Sequence, residues 1–340
     1  MARIKLGKTG DSRTRAKAKP PVLREEEREL RQRLSNNAEF VDYLLARGYS
    51  SRTTERYVND AERMQQWAEQ ENVPILSMTY ADVLHYVQSY GERVTQRTKS
   101  VMVNSLKHYF NYLVATEQVT ENPAAQILIK GVIRKRLHHI LTKQELESLY
   151  QNYMVKLDKK DKNKNWYRKS ELNEKRDKII IGLIVYQGLN ATELQRLEVT
   201  DLKLREGKIY IAGTRRSNER TLELQSLQIL DLMEYTLKTR DELLAVKGKQ
   251  SDKLLVSGGA GQSIQNALQR LTKQLQKYEG CKIKNLQQIR ASVITHWLKL
   301  YNLRQVQYMA GHRFVSSTEA YMVNDLEGLL EDINKFHPME

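Results

Sequence analysis

Cysteine is almost missing from this chain: Cys281 is the only one in 340 residues, which excludes a disulfide framework and any zinc site built from several thiolates. The seven histidines are scattered, and the neighbours His138 and His139 would point to different faces of a helix, so no metal is expected. Long apolar runs are lacking too. No stretch of roughly 18 or more apolar residues reads as a membrane span, and the N-terminus has no apolar core of secretory type. The expected compartment is therefore the cytoplasm. The glycine-rich stretch Ser257 to Ser263 lacks the lysine of a phosphate-binding P-loop, so it reads as a plain loop and no nucleotide cofactor is expected.

Negative charge is the other scarcity. Lysine plus arginine outnumber the acids 56 to 41, a formal net charge of +15, and the pI is near 9.6. Such an excess favours a polyanion, and nucleic acid is the commonest partner of that kind. Charge alone does not separate duplex DNA from RNA or from an anionic membrane.

The length allows two domains, each burying its own core. Residues 1–34 form a basic arm (Arg3, Lys5, Lys8, Arg13, Arg15, Lys17, Lys19) followed by a mixed-charge helix from about Arg24 to Leu34. The arm reads equally as a solvated tail or as a segment lying along phosphates. Residues 35–126 read as a small helical bundle. Phe40, Tyr43, Leu44 and Leu45 form the first apolar stripe. Ser50 to Thr54 cap a second helix carrying Tyr57, Ala61, Met64, Trp67 and Ala68. Two more helices are predicted at Thr79–Tyr90 and Thr95–Thr116. The outward faces of the second and fourth helices carry Arg52, Arg56, Arg63, Arg97, Lys99, Lys107 and His108, a basic face that reads as hydrated surface or as a surface for a polyanion. Residues 127–141, with Lys130, Arg134, Lys135 and Arg136, read as a basic linker able to cross a DNA backbone.

Residues 142–340 read as a second domain. Thr142 and Glu145 have capping-box spacing. Residues 156–178 look like a charge-dense solvated insertion, and Ile179–Leu189 like a buried helix. Period-two alternation in Lys208–Gly213 and Glu219–Leu224, around Thr214 to Asn218, predicts a β-hairpin. Leu222 to Leu243 resumes helix, Lys253–Val256 reads as a short strand, and Ser263–Tyr278 as a helix. In Leu286–Arg290 an arginine sits amid an apolar helical stripe and needs an anionic partner. Gln287 lies three residues earlier on the same face. Near the end, Gly311 should stop a helix in the left-handed conformation and His312 follows at once. Ser316 with Glu319 has the spacing to cap a helix that carries Tyr321 in its second turn. Beyond it Leu326, Leu329, Leu330 and Ile333 make a stripe that either packs at home or docks on a neighbour.

The spacing Gly311-His312-x5-Thr318-x2-Tyr321 resembles the C-terminal signature of the tyrosine recombinase (phage integrase) family, whose nucleophilic tyrosine lies nine residues after such a histidine. The Ser50/Ser51-Thr54-Tyr57 helix entry and the Glu121-Asn-Pro-Ala124 exit resemble that family's core-binding domain, which implies that the basic face of the second and fourth helices is the DNA-binding one. The resemblance implies a mainly α fold with a small β-sheet: a SAM-like helical core-binding domain, then a mixed α/β catalytic domain. It implies DNA strand breakage and resealing through a 3′-phosphotyrosine, without metal or nucleotide. Tyr321 would be the nucleophile, with Arg290 and His312 stabilising the charged transition state. The implied partner is duplex DNA with inverted recognition sites, bound by a tetramer associating through the 324–335 helix, with a paralogous subunit as a further option. Integration of a mobile element is the implied setting.

Three positions depart from the family. Asn190 replaces the arginine of Gly-Leu-Arg-x-x-Glu-Leu and has N-cap spacing to Glu193. Gln287 replaces the histidine of His-x-x-Arg. The hairpin turn offers Arg215 and Arg216 where the family has a lysine acid, and arginine holds its proton too tightly for that task. Each missing charged group would cost about 2 to 4 kcal/mol of transition-state stabilisation. Beside the active divergent recombinase, the sequence therefore leaves open a catalytically impaired DNA-binding protein of the same fold, acting as an accessory or architectural subunit, and an RNA-binding helical protein.

Overall fold

The computed structural model describes residues 25–132, 139–153, 165–214, 217–248, 250–258, 263–278, 280 and 282–322. The chain divides into two compact units, Met1–Arg136 and Leu137–Glu340. The fold is mainly α with one small sheet, as the resemblance implied.

The first unit contains α1 (Glu25–Arg33), α2 (Ala38–Ala46), α3 (Ser51–Gln70), α4 (Tyr80–Ser89) and α5 (Gln96–Ala115). Three of the helix starts carry side-chain caps. Ser50 accepts the Thr53 N–H at the head of α3, Thr79 and Asp82 form a reciprocal capping box on α4, and Thr95 accepts the Thr98 N–H on α5. The apolar residues recur at helical spacing and meet in one core: Phe40, Val41 and Leu44 of α2; Val58, Ala61 and Met64 of α3; Val83 and Val87 of α4; Leu106 and Phe110 of α5. Leu30 and Leu34 join this core, so α1 packs on the bundle. Ile127, at the first position of the expected linker, is also one of its members.

In the second unit α7 (Asn165–Gln187) is the central element, and Ile179–Ile181, Leu183 and Ile184 on it are almost wholly enclosed. Around it stand α6 (Lys143–Gln151), α9 (Ser226–Glu234), α10 (Arg240–Lys247) and α12 (Leu286–Leu300). A five-residue π-helical turn, Tyr235–Thr239, joins α9 to α10. The sheet is antiparallel in the order β1 (Leu202–Lys203), β2 (Lys208–Ile211), β3 (Arg220–Glu223). Ile209 faces Leu222 and Ile211 faces Arg220 across the hairpin. The short α8 (Ala191–Arg196), α11 (Ile264–Leu275), α13 (Leu303–Ala310) and α14 (315–322) complete the unit. Among the described residues no helix is long and apolar enough to cross a membrane.

Four expectations change. Residues 165–178 are not a solvated insertion but the first turns of α7, where Leu172 is in the core and Arg176 is buried against Asp177 at 2.6 Å. Charge density misled there because the ion pair is internal. Lys253–Val256 is not a strand. Leu254 N–H donates to the Leu197 carbonyl and the Tyr235 hydroxyl takes up the Leu254 carbonyl and the Val256 N–H, so a side chain occupies the place of a partner strand. Leu222 belongs to β3, and helix resumes only at Ser226. Ser316 lies inside α14 rather than at its cap, because the helix already begins at 315.

Candidate active site

Three chain reversals bring the site together. The first ends α7 at Gly188 in the left-handed conformation (φ 60°), where a Cβ would run into the Trp297 ring. This reversal delivers Asn190 to the N-cap of α8. Its Oδ1 accepts the N–H groups of Thr192 (2.9 Å) and Glu193 (3.0 Å), and Glu193 Oε2 accepts the Asn190 N–H at 2.9 Å. The capping role read from spacing is thus present, and it holds the Glu193 carboxylate inside the unit, 2 % exposed.

The second reversal is the hairpin. Its inward positions on β3 are Arg220 and Leu222, its outward ones Thr221 and Glu223. Arg220 is an arginine on the core side of a strand. Its Nη1 and Nη2 donate to Glu193 Oε1 and Oε2 at 2.8 and 3.1 Å. Burial alone would raise the Glu193 pKa; the Arg220 hydrogen bonds and charge, with Arg290 and the Asn190 N–H, outweigh it and leave the carboxyl below the usual carboxylate range.

The third reversal closes α13 at Gly311 (φ 68°), whose N–H returns to the Tyr308 carbonyl. The Arg220 guanidinium lies against Gly311, leaving no room for a Cβ. Two further bonds tie this turn to the hairpin: Asn218 N–H donates to the Gly311 carbonyl at 3.0 Å, and Ser217 bridges His312.

Arg290 projects from α12 into the space between these turns, 6 % exposed. Nη1 donates to the Gly188 carbonyl and Nη2 to the Ala310 carbonyl at 2.7 Å. Nη1 also stands 3.5 Å from Glu193 Oε2, and Nη2 is 3.4 Å from His312 Nε2. A guanidinium has no acceptor, so His312 Nε2 faces it with its lone pair, and Nδ1 is the protonated nitrogen, donating to Thr318 Oγ1 at 2.9 Å. Burial first, then the charges of Arg290 and Arg220, push the His312 pKa down to about 4, so the ring is neutral at pH 7. The Tyr321 ring stacks on His312, centroids 5.6 Å apart and planes 13° from parallel. Burial pulls the Arg290 pKa below the ordinary arginine value, opposed first by the Glu193 charge and then by the Tyr321 hydroxyl, which is close enough to act on the guanidinium.

Tyr321, His312 and Arg290 therefore occupy one cluster, with Asn190 one reversal away. Gln287 is exposed in the first turn of α12 and hydrogen-bonds none of them; the neighbouring Gln288 is buried instead and holds the His139 carbonyl and the Lys284 N–H. Arg215 and Arg216 lie outside the described residues. Two members of the cluster, Glu193 as a charge and Arg220 altogether, escaped the sequence reading. A signal existed for Arg220: an arginine among the inward apolar positions of a period-two strand needs an anion as much as one in an apolar helix does.

The candidate DNA-binding residues divide similarly. Arg52, Arg97 and Lys130 are exposed, and Lys99 and Lys107 are half-buried. Arg56 and Arg63 flank Asp60 at 3.8 and 3.4 Å, and Asp60 also accepts the Ser105 hydroxyl at 2.7 Å. His108 adds no charge to this face. It stacks on Tyr57 at 4.8 Å and burial lowers its pKa, with Arg47 assisting. Arg134, Lys135 and Arg136 lie outside the described residues.

Residues 139–327 match the phage integrase family, and residues 38–117 match the phage integrase N-terminal SAM-like domain. Among curated relatives, the tyrosine recombinase XerD of Shewanella oneidensis is 26% identical over 303 residues, covering 88% of this chain and 95% of that protein. The tyrosine recombinase XerC of Oceanobacillus iheyensis is 23% identical over 310 residues, with coverages of 88% and 94%. Among solved structures, the XerH site-specific recombinase bound to a palindromic substrate aligns with a TM-score of 0.61 at 16% identity, covering 90% of this chain and 93% of that one. The Tn1549 transposon integrase in complex with transposon right end DNA aligns at 0.56 and 18% identity, with coverages of 86% and 94%. With its catalytic-domain match spanning more than half of its length, this chain belongs to the phage integrase family.

Proposed function

We propose that the protein is a site-specific DNA recombinase that cuts and reseals strands through Tyr321. The Tyr321 hydroxyl gives up its proton as its oxygen attacks the scissile phosphorus, the P–O5′ bond breaks, and the 5′ oxygen takes up one proton and leaves as a hydroxyl while the 3′ phosphate stays on the tyrosine. A 5′-hydroxyl from another strand reverses the step. The phosphotyrosine conserves the bond energy, so no nucleotide cofactor enters the chemistry. Arg290 and His312 hold the non-bridging oxygens. An arriving phosphate offsets the guanidinium charges that depress the His312 pKa, so the ring gains proton affinity as the transition state gains negative charge. Asn190, its Oδ1 committed to the α8 cap, offers only its Nδ2 hydrogens. Gln287 approaches from the adjacent turn of α12, and Arg215 or Arg216 provides positive charge where the family has a lysine.

The observation that carries this reading is the common location of Tyr321, His312 and Arg290, from three different elements, around one guanidinium. The partner is duplex DNA with paired inverted sites, held along the Arg52, Arg56, Arg63 and Arg97 face and by Lys130. Copies of the chain, or a paralogous recombinase subunit, associate on it through the 324–335 stripe, which lies outside the described residues. The natural setting is movement or integration of a mobile element.

The test uses duplexes selected by the protein from a random pool, remade with nicks near the centre of the inverted repeat. Wild type should form a covalent adduct that survives denaturation, and Tyr321→Phe should abolish it while still binding the duplex. Specific binding with no adduct at any nick position would show an inert DNA-binding protein.

A further inference from the structure

We propose that Arg220 is a positioning residue for Arg290: it takes the Glu193 carboxylate as its own counterion and so leaves the Arg290 guanidinium available to a phosphate. This inference rests on the recombinase reading above.

The geometry ranks the two arginines. Arg220 meets Glu193 as a fork at 2.8 and 3.1 Å, whereas Arg290 stands off at 3.5 Å from an oxygen that already accepts Arg220 and the Asn190 N–H. Bidentate guanidinium–carboxylate contacts are the strong ones, so Glu193 is satisfied before Arg290 reaches it. Arg290 instead donates to two neutral carbonyls, of Gly188 and Ala310, which orient it without cancelling its charge. Two guanidiniums against one carboxylate, beside a neutral His312, leave a buried excess of one positive charge. Remove Arg220 and that excess vanishes, because Glu193 would then turn on Arg290.

Stability does not account for Arg220. A buried salt bridge contributes little net stability over apolar residues of similar size, and the Arg220 Nε is buried without a hydrogen-bond partner. Its placement is nonetheless held tightly, under Gly311 and on a strand whose loop is stitched to the His312 turn. Arg220 thus supplies from the interior part of the charge that Asn190 lacks, by neutralising a competitor rather than by touching the phosphate.

The experiment compares wild type, Arg220→Met, Glu193→Gln and the double variant. Single-turnover adduct formation on the nicked selected duplex should fall at least 100-fold in Arg220→Met, with the duplex Kd within threefold of wild type. Removing the carboxylate as well should recover at least tenfold over Arg220→Met. A merely structural role predicts the reverse, the double variant being no faster than the single one, and that result overturns the proposal. So does an Arg220→Met rate within threefold of wild type. Proton titration of the His312 ring by NMR gives a readout independent of cleavage: its pKa should rise in Arg220→Met, where Glu193 is unneutralised, and return towards the wild-type value in the double variant. An unmoved His312 overturns the proposal. Absence of adduct in the wild type sinks the recombinase reading instead, and the NMR arm still decides on Arg220. Should Arg220→Met fail to fold by circular dichroism, Arg220→Gln replaces it in both arms.

Discussion

Arginine does two different jobs in the two units. On α3 of the first unit, Arg56 and Arg63 keep half or more of their side chains in water and share Asp60. In the second unit Arg220 and Arg290 are almost wholly enclosed and share Glu193. The guanidiniums are the exposed partners there, whereas Asp60 is buried and keeps the Ser105 hydroxyl, so each arginine is screened by salt and can turn from the carboxylate to a phosphate while Asp60 retains its other donors. A buried pair cannot relax, so each donor sets the position of the next group. The first arrangement suits binding along a backbone. The second suits a site where a few tenths of an ångström matter.

Substitution at Gly311 should break the buried arrangement most severely. Gly311→Ala places a methyl group on the Arg220 guanidinium at a left-handed backbone position. Strain and overpacking together should cost about 2 to 5 kcal/mol, read as a lower urea midpoint, with adduct formation lost along with Arg220 geometry.

The pH dependence sharpens the contrast next. The folded pKa of His312, about 4, lies below the ordinary histidine value of 6.5 that the unfolded chain has. Between these values the unfolded chain binds more protons, so stability falls as pH drops from 6.5 to 4. The full shift corresponds to roughly 3 kcal/mol, lost by about pH 4 and below. In His312→Gln this slope should flatten in urea melts across that window. Glu193 contributes in the same direction but lower, its stabilisation being lost as pH falls through its depressed folded pKa, beneath the ordinary value of 4.5. An unchanged slope in His312→Gln would mean that the ring is not held neutral by the cluster.

The exposed arginines should give the smallest effect on folding. Arg56→Ala and Arg63→Ala should each change stability by less than about 1 kcal/mol. Each should also reduce the slope of log binding constant against log salt by about one for every phosphate no longer neutralised. Fluorescence anisotropy over a salt series checks this. An unaltered slope would remove α3 from the proposed DNA-binding face.

Much of this was legible because it is local. The caps at Ser50, Thr79, Thr95, Thr142 and Asn190 act within three residues, and the left-handed stop at Gly311 within one turn of helix, so composition and spacing suffice to find them. The long apolar stripe of α7 and the hairpin alternation are periodic signals of the same kind. The misreadings arose where a nonlocal partner decided the outcome. Residues 165–178 looked solvated because the Arg176–Asp177 pair is charged, yet the Val256 carbonyl, 80 residues along the chain, meets the Arg176 guanidinium inside the unit. His108 looked like one more basic group, yet Tyr49 and Tyr57 enclose it.

By itself the sequence determined the helical bundle, the hairpin, the glycine–histidine turn and the tyrosine nine residues beyond, since each depends on backbone preferences and short-range periodicity. Only the tertiary structure decided which charges meet. Glu193 and Arg220 are separated by 27 residues and Arg290 lies a further 70 along the chain, and nothing in their local context says that one carboxylate serves two guanidiniums. Burial made that choice, because in a low-dielectric interior every charge must find a partner and the geometry of the partners fixes what is left over for a ligand.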